Sequence, residues 1–205
     1  SLHRLQRLPA ILNYDPVRCD RVIAALESTI QVPTLQLVAT GLVPPWSRDD
    51  WDTALDRLPD MAVAEWLEVT AERRADPPED VDTTFVDWAL FLTGRAHSAG
   101  VPIGAGTDTP IGPSPPGYSL HTELEFLVRA GLTPVEALAA ATVRPAEFFS
   151  LQEDMGSVEV GKVADEELLE ANTLEDIANT KRISHVISKG VVYGVEMLIE
   201  AGKGP

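Results

Sequence analysis

Cysteine and histidine are scarce in this chain. Cys19 is the one cysteine among 205 residues, which excludes an internal disulfide and a zinc site built on cysteine. Histidine occurs four times, at His3, His97, His121 and His185, and no two are separated by a single residue. Basic residues are few as well: 16 Lys and Arg stand against 32 Asp and Glu, for a net charge of −16. Such a surface repels a phosphate backbone, so no nucleic acid partner is expected. The excess of acids by itself reads as a solvated face. No apolar run approaches 18 residues, so no membrane-spanning helix is expected. The opening "SLHRLQRLPA" lacks the apolar stretch of a signal peptide. The chain begins on Ser1 rather than Met, so its natural start is not fixed by the sequence; a cytoplasmic location is the expectation. No internal repeat is present.

Helical and extended signals alternate through the first three quarters. Asp15 followed by Pro16 predicts a helix start, with Val17, Val22, Ile23 and Leu26 as its buried stripe. Cys19 falls in that helix and reads as a packing residue. "IQVPTLQLV", residues 30–38, predicts a strand rich in branched residues. Helical segments follow over 47–76, with Ser47 and Asp50 as a cap and Met61, Trp66 and Leu67 as apolar faces. After the break "ADPPED", a helix carries Phe85, Trp88, Ala89 and Leu92 and stops at Gly100. A strand over 101–106 leads into an irregular loop rich in proline and glycine. "HTELEFLVRAG" predicts a helix, and Thr133-Pro134 with Glu136 predicts a capping box on the next. "RPAEFFSL" adds a short one. Beyond residue 155 the texture turns to short strands and glycine turns, which implies a second, small sheet. Strand–helix alternation implies parallel strands with right-handed crossovers.

The run "VPIGAGTDTP" delivers one carboxylate, Asp108, to the end of an apolar strand. Taken alone, Asp108 reads as a turn acid or helix cap. Its neighbours in sequence change that reading. "GVPIGAGTD", "SLHTELEFLVRAGLTPVEALAAATVRPAEFF", "GSVEVGKVAD", "NTLEDI" and "VISKGVVYG" occur in this order and together resemble the end of a metal-dependent amidohydrolase, of the imidazolonepropionase and metal-dependent prolidase branch. "VPTL" at 32–35 resembles the seventh barrel strand of that branch.

The resemblance implies an α/β fold: the last strands and helices of a TIM-type (β/α) barrel over residues 1–155, and a β-sandwich tail segment over 156–205. Catalytic groups of such barrels sit at the C-terminal tips of strands. Asp108 resembles the acid at the tip of strand eight, which ligates a divalent metal, zinc or another, and takes a proton from the water bound to it. Thr109, Tyr118 and His121 fall in or just after the loop that would face substrate. His121 has two further readings, tying down that loop or facing solvent. His97 reads as a residue of a helix's last turn, His185 as structural, and His3 stands too near the terminus to judge. The four histidines cannot make the ligand set such a family uses.

A whole barrel needs about 250 residues, so the chain reads as a fragment. The expected activity is hydrolysis of C–N bonds in small-molecule amides, cyclic amides or dipeptides by the full-length protein, with this chain alone inactive. The alternative is a non-catalytic module that self-associates through open barrel edges. Either way the uncovered strands predict a homo-oligomer. Glu166 and Glu167 stand where the family pattern is apolar, which predicts exposure of that segment, or a helix over 165–180.

Overall fold

A computed structural model describes the backbone of residues 2–202 and the side chains of residues 5–201; His3 lies outside the described side chains. The chain opens with helices α1 (Leu2–Leu12) and α2 (Pro16–Ala24), the first unforeseen in the sequence. Asp15 caps α2, its carboxylate accepting from the amides of Val17 and Arg18, as the Asp-Pro signal predicts. The expected stripe is narrower than its periodicity suggests. Ile23 is buried and Leu26 half-buried, but Val17 and Val22 are exposed, because α2 lies on the edge of the core and offers it one side only.

The two expected strands shrink to a single parallel bridge, Gln31 to Ile103. The Gln31 amide donates to the Pro102 carbonyl at 2.9 Å, and the Gly104 amide donates to the Gln31 carbonyl at 2.9 Å. The strand expected over 30–38 ends early for a local reason. Pro33 has no N–H to give a ladder. Thr34 takes a left-handed conformation (φ 47°), and Leu35–Val38 coil into α3. On the other side, Gly104 and Gly106 permit the close approach. A Cβ at Gly104 would lie 3.0 Å from the Ile30 Cδ1, and one at Gly106 would overlap the Val32 Cγ1.

Between these segments stand α4 (Trp51–Leu55), α5 (Asp60–Ala75) and α6 (Thr84–Ser98). Ser47 does not cap: its hydroxyl donates to the Pro44 carbonyl, and Asp50 pairs with Arg48 instead of a helix amide. Trp51 and Trp66 stack at 6.4 Å between centroids in a satellite cluster with Leu55, while Met61 is exposed. On α6 the buried positions are Val86, Thr93 and Ala96, and Phe85, Trp88, Ala89 and Leu92 are half-buried. Trp88 and Phe91 meet the Tyr14 ring edge-on at 5.3 and 5.5 Å.

After residue 106 come α7 (Tyr118–Arg129), α8 (Pro134–Ala141) and α9 (Val143–Phe148). The capping box is complete: Thr133 accepts from the Glu136 amide, and the Glu136 carboxylate accepts from the Thr133 amide at 2.8 Å. The tail forms one antiparallel sheet, β1 (Glu166–Leu169), β2 (Ile183–Ser188) and β3 (Val191–Gly194), followed by α10 (Val195–Gly202). Residues 156–165 form no strand, and residues 166–169 pair as β1 rather than coil. Glu167 and Leu168 are exposed on that strand. Leu124, Phe126, Leu127, Ala137 and Ala140 build the main core with Val101, Ile103, Leu35 and Ala39. Ile177, from the 3-10 turn Ile177–Lys181, joins them, so the tail is seated on the helices.

Candidate functional site

Asp108 comes two residues after the segment 101–106, past the parallel bridge at Ile103. It is exposed, and its own φ is 54°, in the left-handed region. Such a conformation is uncommon outside glycine, asparagine and aspartate. It turns the chain sharply, and the Asp108 carbonyl accepts from the Ile111 amide at 2.8 Å to close the turn. Thr109, next in line, donates its hydroxyl to the Ser114 carbonyl. The loop after Asp108 is thus folded back on itself.

The ground beneath this loop is polar and buried. The Gln36 side-chain amide donates to the Thr107 carbonyl at 2.5 Å and to the Ser114 hydroxyl at 3.3 Å. Gln36 is in turn held by α7: the Glu123 Oε2 accepts from the Gln36 backbone amide at 2.7 Å. Glu123 is wholly buried, and its Oε1 has no partner among the described residues. Burial raises its carboxyl to a pKa of about 7, against the opposing pull of the Gln36 and Leu35 amides.

The four residues singled out from sequence do not converge. Asp108 and Thr109 stand together at the loop. Tyr118 opens α7 beside a small cavity of about 20 Å³, lined also by Gln36, Arg48, Trp51 and Ser114, with the Arg57 guanidinium 5.5 Å over its ring. A cavity of that size holds little more than a water molecule. His121 faces the tail: its Nδ1 lies 3.0 Å from the Thr180 hydroxyl. That hydroxyl already gives its hydrogen to the Ile177 carbonyl, so the imidazole Nδ1 is the donor. Burial, with Lys181 and Arg48 nearby, lowers the His121 pKa and keeps the ring neutral. Of its three readings, tethering is the one this contact favours, though the element it ties is the C-terminal turn rather than the loop. His97 sits in the last turn of α6, 3.4 Å from Glu136.

Gln36, Ser114 and Glu123 escaped sequence reasoning. A signal was present for two of them. Glu123 interrupts the apolar stripe Leu120, Leu124, Leu127 of α7, and Gln36 interrupts "PTLQLV"; a polar residue on a core face needs a buried partner.

The described residues do not make a metal site. Among the described residues no three of His, Cys, Asp and Glu lie together as a ligand group. One acid is far short of the three or four ligands a zinc ion takes.

The structure is α/β, with one parallel bridge, an acid just past it and a small antiparallel sheet in the tail. Residues 93–193 match the amidohydrolase family. The chain is 32% identical over 122 residues to the imidazolonepropionase of Geobacillus thermodenitrificans, covering 56% of this chain and 28% of that protein. It is 35% identical over 86 residues to the 5'-deoxyadenosine deaminase of Methanobrevibacter smithii, covering 42% of this chain and 20% of that one. A solved structure from Bifidobacterium longum, provisionally a prolidase, superposes with a TM-score of 0.54 at 32% identity, covering 80% of this chain and 35% of that one. The chain thus spans less than a third of the curated relatives named here. No helix among the described residues is long and apolar enough to cross a membrane.

Proposed function

We propose that this chain carries the C-terminal part of a metal-dependent amidohydrolase that cleaves C–N bonds in small amides, cyclic amides or dipeptides. Residues 1–155 then correspond to the end of a (β/α)8 barrel, and residues 156–205 to the tail of its β-sandwich. One observation carries the reading: an exposed carboxylate, Asp108, just past the end of a parallel-paired segment, inside the span that matches the family. Its role is to accept the proton of the attacking water, and an exposed carboxylate suits that role. Thr109 and the loop to Tyr118 shape the side from which substrate approaches. Relatives that include a deaminase, an imidazolonepropionase and a provisional prolidase support C–N hydrolysis without selecting a substrate. The metal belongs to the complete site, which these residues do not make alone.

The test is a graft. Residues 93–193 replace the matching span of the Geobacillus imidazolonepropionase, and hydrolysis by the chimera is compared with that of its Asp108→Asn form. Loss of a proton acceptor should lower turnover about 10²–10⁴-fold. Equal turnover by the two chimeras sinks the assignment.

A second reading rests on a separate observation. Phe148, Phe149, Val158 and Val160 are exposed at 62, 67, 80 and 109%. An apolar surface of this kind fits a module that buries it against another chain.

A further inference from the structure

Three features outside the proposed chemistry stand out: the acids of α4 and α5, the exposed apolar tail, and the buried carboxylate of Glu123. Only the last is tied by a continuous chain of contacts to the acid at the strand end. Glu123 lies on α7, which packs against α3, α6, α8 and the turn Ile177–Lys181. It reaches the first turn of α3 through the Gln36 amide, at 2.7 Å. The Gln36 side chain continues to the Thr107 carbonyl at 2.5 Å and to Ser114, which Thr109 also holds. Asp108 is the residue between Thr107 and Thr109, so the network grips the chain on both sides of it.

The geometry points to Glu123 as the positioning residue for Asp108, acting through Gln36, so that a proton on Glu123 is felt at the strand-end turn. The functional meaning of this link rests on the role proposed for Asp108; the link itself does not.

First, Glu123 is wholly buried, and a charge there is unfavourable unless hydrogen bonds meet it. The carboxylate has the Gln36 amide as donor at Oε2 and no partner for Oε1 among the described residues, so its ionised form is met on one side only. Second, ionisation strengthens the bond from the Gln36 amide, since charge-assisted hydrogen bonds are shorter and stronger than neutral ones. A change at that amide moves the residue whose side chain holds Thr107. Third, no charged group competes. On α6, Asp87 accepts from Thr83, Arg95 pairs with Asp20, and His97 faces Glu136 of α8. Lys181 of the tail pairs with Glu125 at 2.5 Å, Arg129 lies over the Phe126 ring, and His121 bonds Thr180. Helix α3 carries no charge. Burial, partly offset by the Gln36 and Leu35 amides, raises the Glu123 carboxyl to about 7, so the transition falls near neutrality.

The experiment is carboxyl and amide NMR of the chain labelled with ¹³C and ¹⁵N, titrated from pH 4 to 8.5. The expected result is a glutamate carboxyl with a midpoint of about 7, missing in Glu123→Gln, and amide shifts at Gln36, Thr107 and Asp108 with the same midpoint. Gln36→Ala keeps the backbone amide and removes the side-chain bridge. In that variant the carboxyl should still titrate while Thr107 and Asp108 fall silent. An ordinary carboxylate midpoint for Glu123 overturns the proposal. So does an Asp108 response that survives Gln36→Ala. Should Glu123→Gln fail to fold, the wild-type chain and Gln36→Ala decide the matter between them. No arm uses activity, so failure of the hydrolase reading leaves this result standing, and the reverse holds too.

Discussion

The Gln36 side chain donates to the Thr107 carbonyl across 71 positions of sequence, one residue short of Asp108. This bond joins the two halves of the parallel contact beyond the point where strand pairing has stopped. Gln36→Ala should therefore loosen residues 107–114 before anything else. Removing one partner of a buried hydrogen bond costs about 1–3 kcal/mol. Denaturant unfolding should show a loss in that range, and hydrogen exchange should show it concentrated in the loop. Uniform loss of protection across α6 to α8 would count against a local role.

At Gly94, α6 lies close against the end of α7. A Cβ there would overlap the Ala130 carbonyl oxygen, a backbone atom that cannot swing aside. Gly94→Ala therefore trades a gain of about 1 kcal/mol in helix propensity for overpacking of about 1–3 kcal/mol. The expected outcome is net destabilisation in a thermal melt. A rise in Tm would mean that the helices separate at little cost.

Much of the helical half was legible because its signals are local. Asp15-Pro16 and Thr133-Pro134-Glu136 name their own caps, and the structure carries both. The misreadings arose where a neighbour decides. The run 30–38 has strand composition, yet a strand also needs a neighbour to pair with, and composition does not show where that pairing stops. Here Pro33 and the left-handed Thr34 end the pairing after Gln31. The position of Asp108 past the bridged segment was legible because the apolar run before it is local. Glu123 and Gln36 were not, since their meaning is a contact across 87 positions, which no local window contains.

The capping box offers a direct measurement. Thr133→Ala removes the side chain that accepts from the Glu136 amide, which should cost about 1 kcal/mol. Hydrogen bonds from Thr133, followed by His97, hold the Glu136 carboxyl below its ordinary value of 4.5. Its contribution is therefore present above about pH 4.5 and fades as pH falls through the lowered value. The gap between wild type and Thr133→Ala should narrow in acid. A constant gap down to pH 3 would show that the carboxylate has no part in the cap.

Assembly is the next expectation. Val101 and Ile103 are buried by the chain's own helices, while Val32 beside them is 49% exposed. With Phe148, Phe149, Val158 and Val160 also in solvent, the chain should self-associate and bury more than about 1,000 Å². Sedimentation at micromolar concentration tests this. A monomer, unchanged by Val158→Asp with Val160→Asp, would show that these side chains are tolerated singly in water.

Glu123 and His121 sit two residues apart on α7 and should bend the stability curve in opposite directions. Burial raises the Glu123 carboxyl from 4.5 to about 7. Between those values the folded chain holds a proton that the unfolded chain has lost, so stability falls as pH rises, by about 3 kcal/mol across the window. Above pH 7 the loss is complete and flat. His121 works the other way, since burial lowers its pKa below 6.5. Below that value the unfolded chain binds the proton first, so stability falls as pH drops. Just below pH 6.5 the wild-type profile should therefore be shallower than Glu123 alone would make it, because the two slopes oppose each other there. Glu123→Gln removes the falling slope and should leave stability rising with pH up to about 6.5. His121→Phe removes the rising slope and should leave a steady fall to about 7. Thr180→Val provides the control: it deletes the hydrogen bond to His121 and should cost about 1 kcal/mol at every pH, because the imidazole stays buried. Urea unfolding at half-unit steps of pH measures all four chains. If Glu123→Gln and wild type run parallel over this range, Glu123 is ionised in the folded protein at an ordinary pH and its burial must be relieved by water.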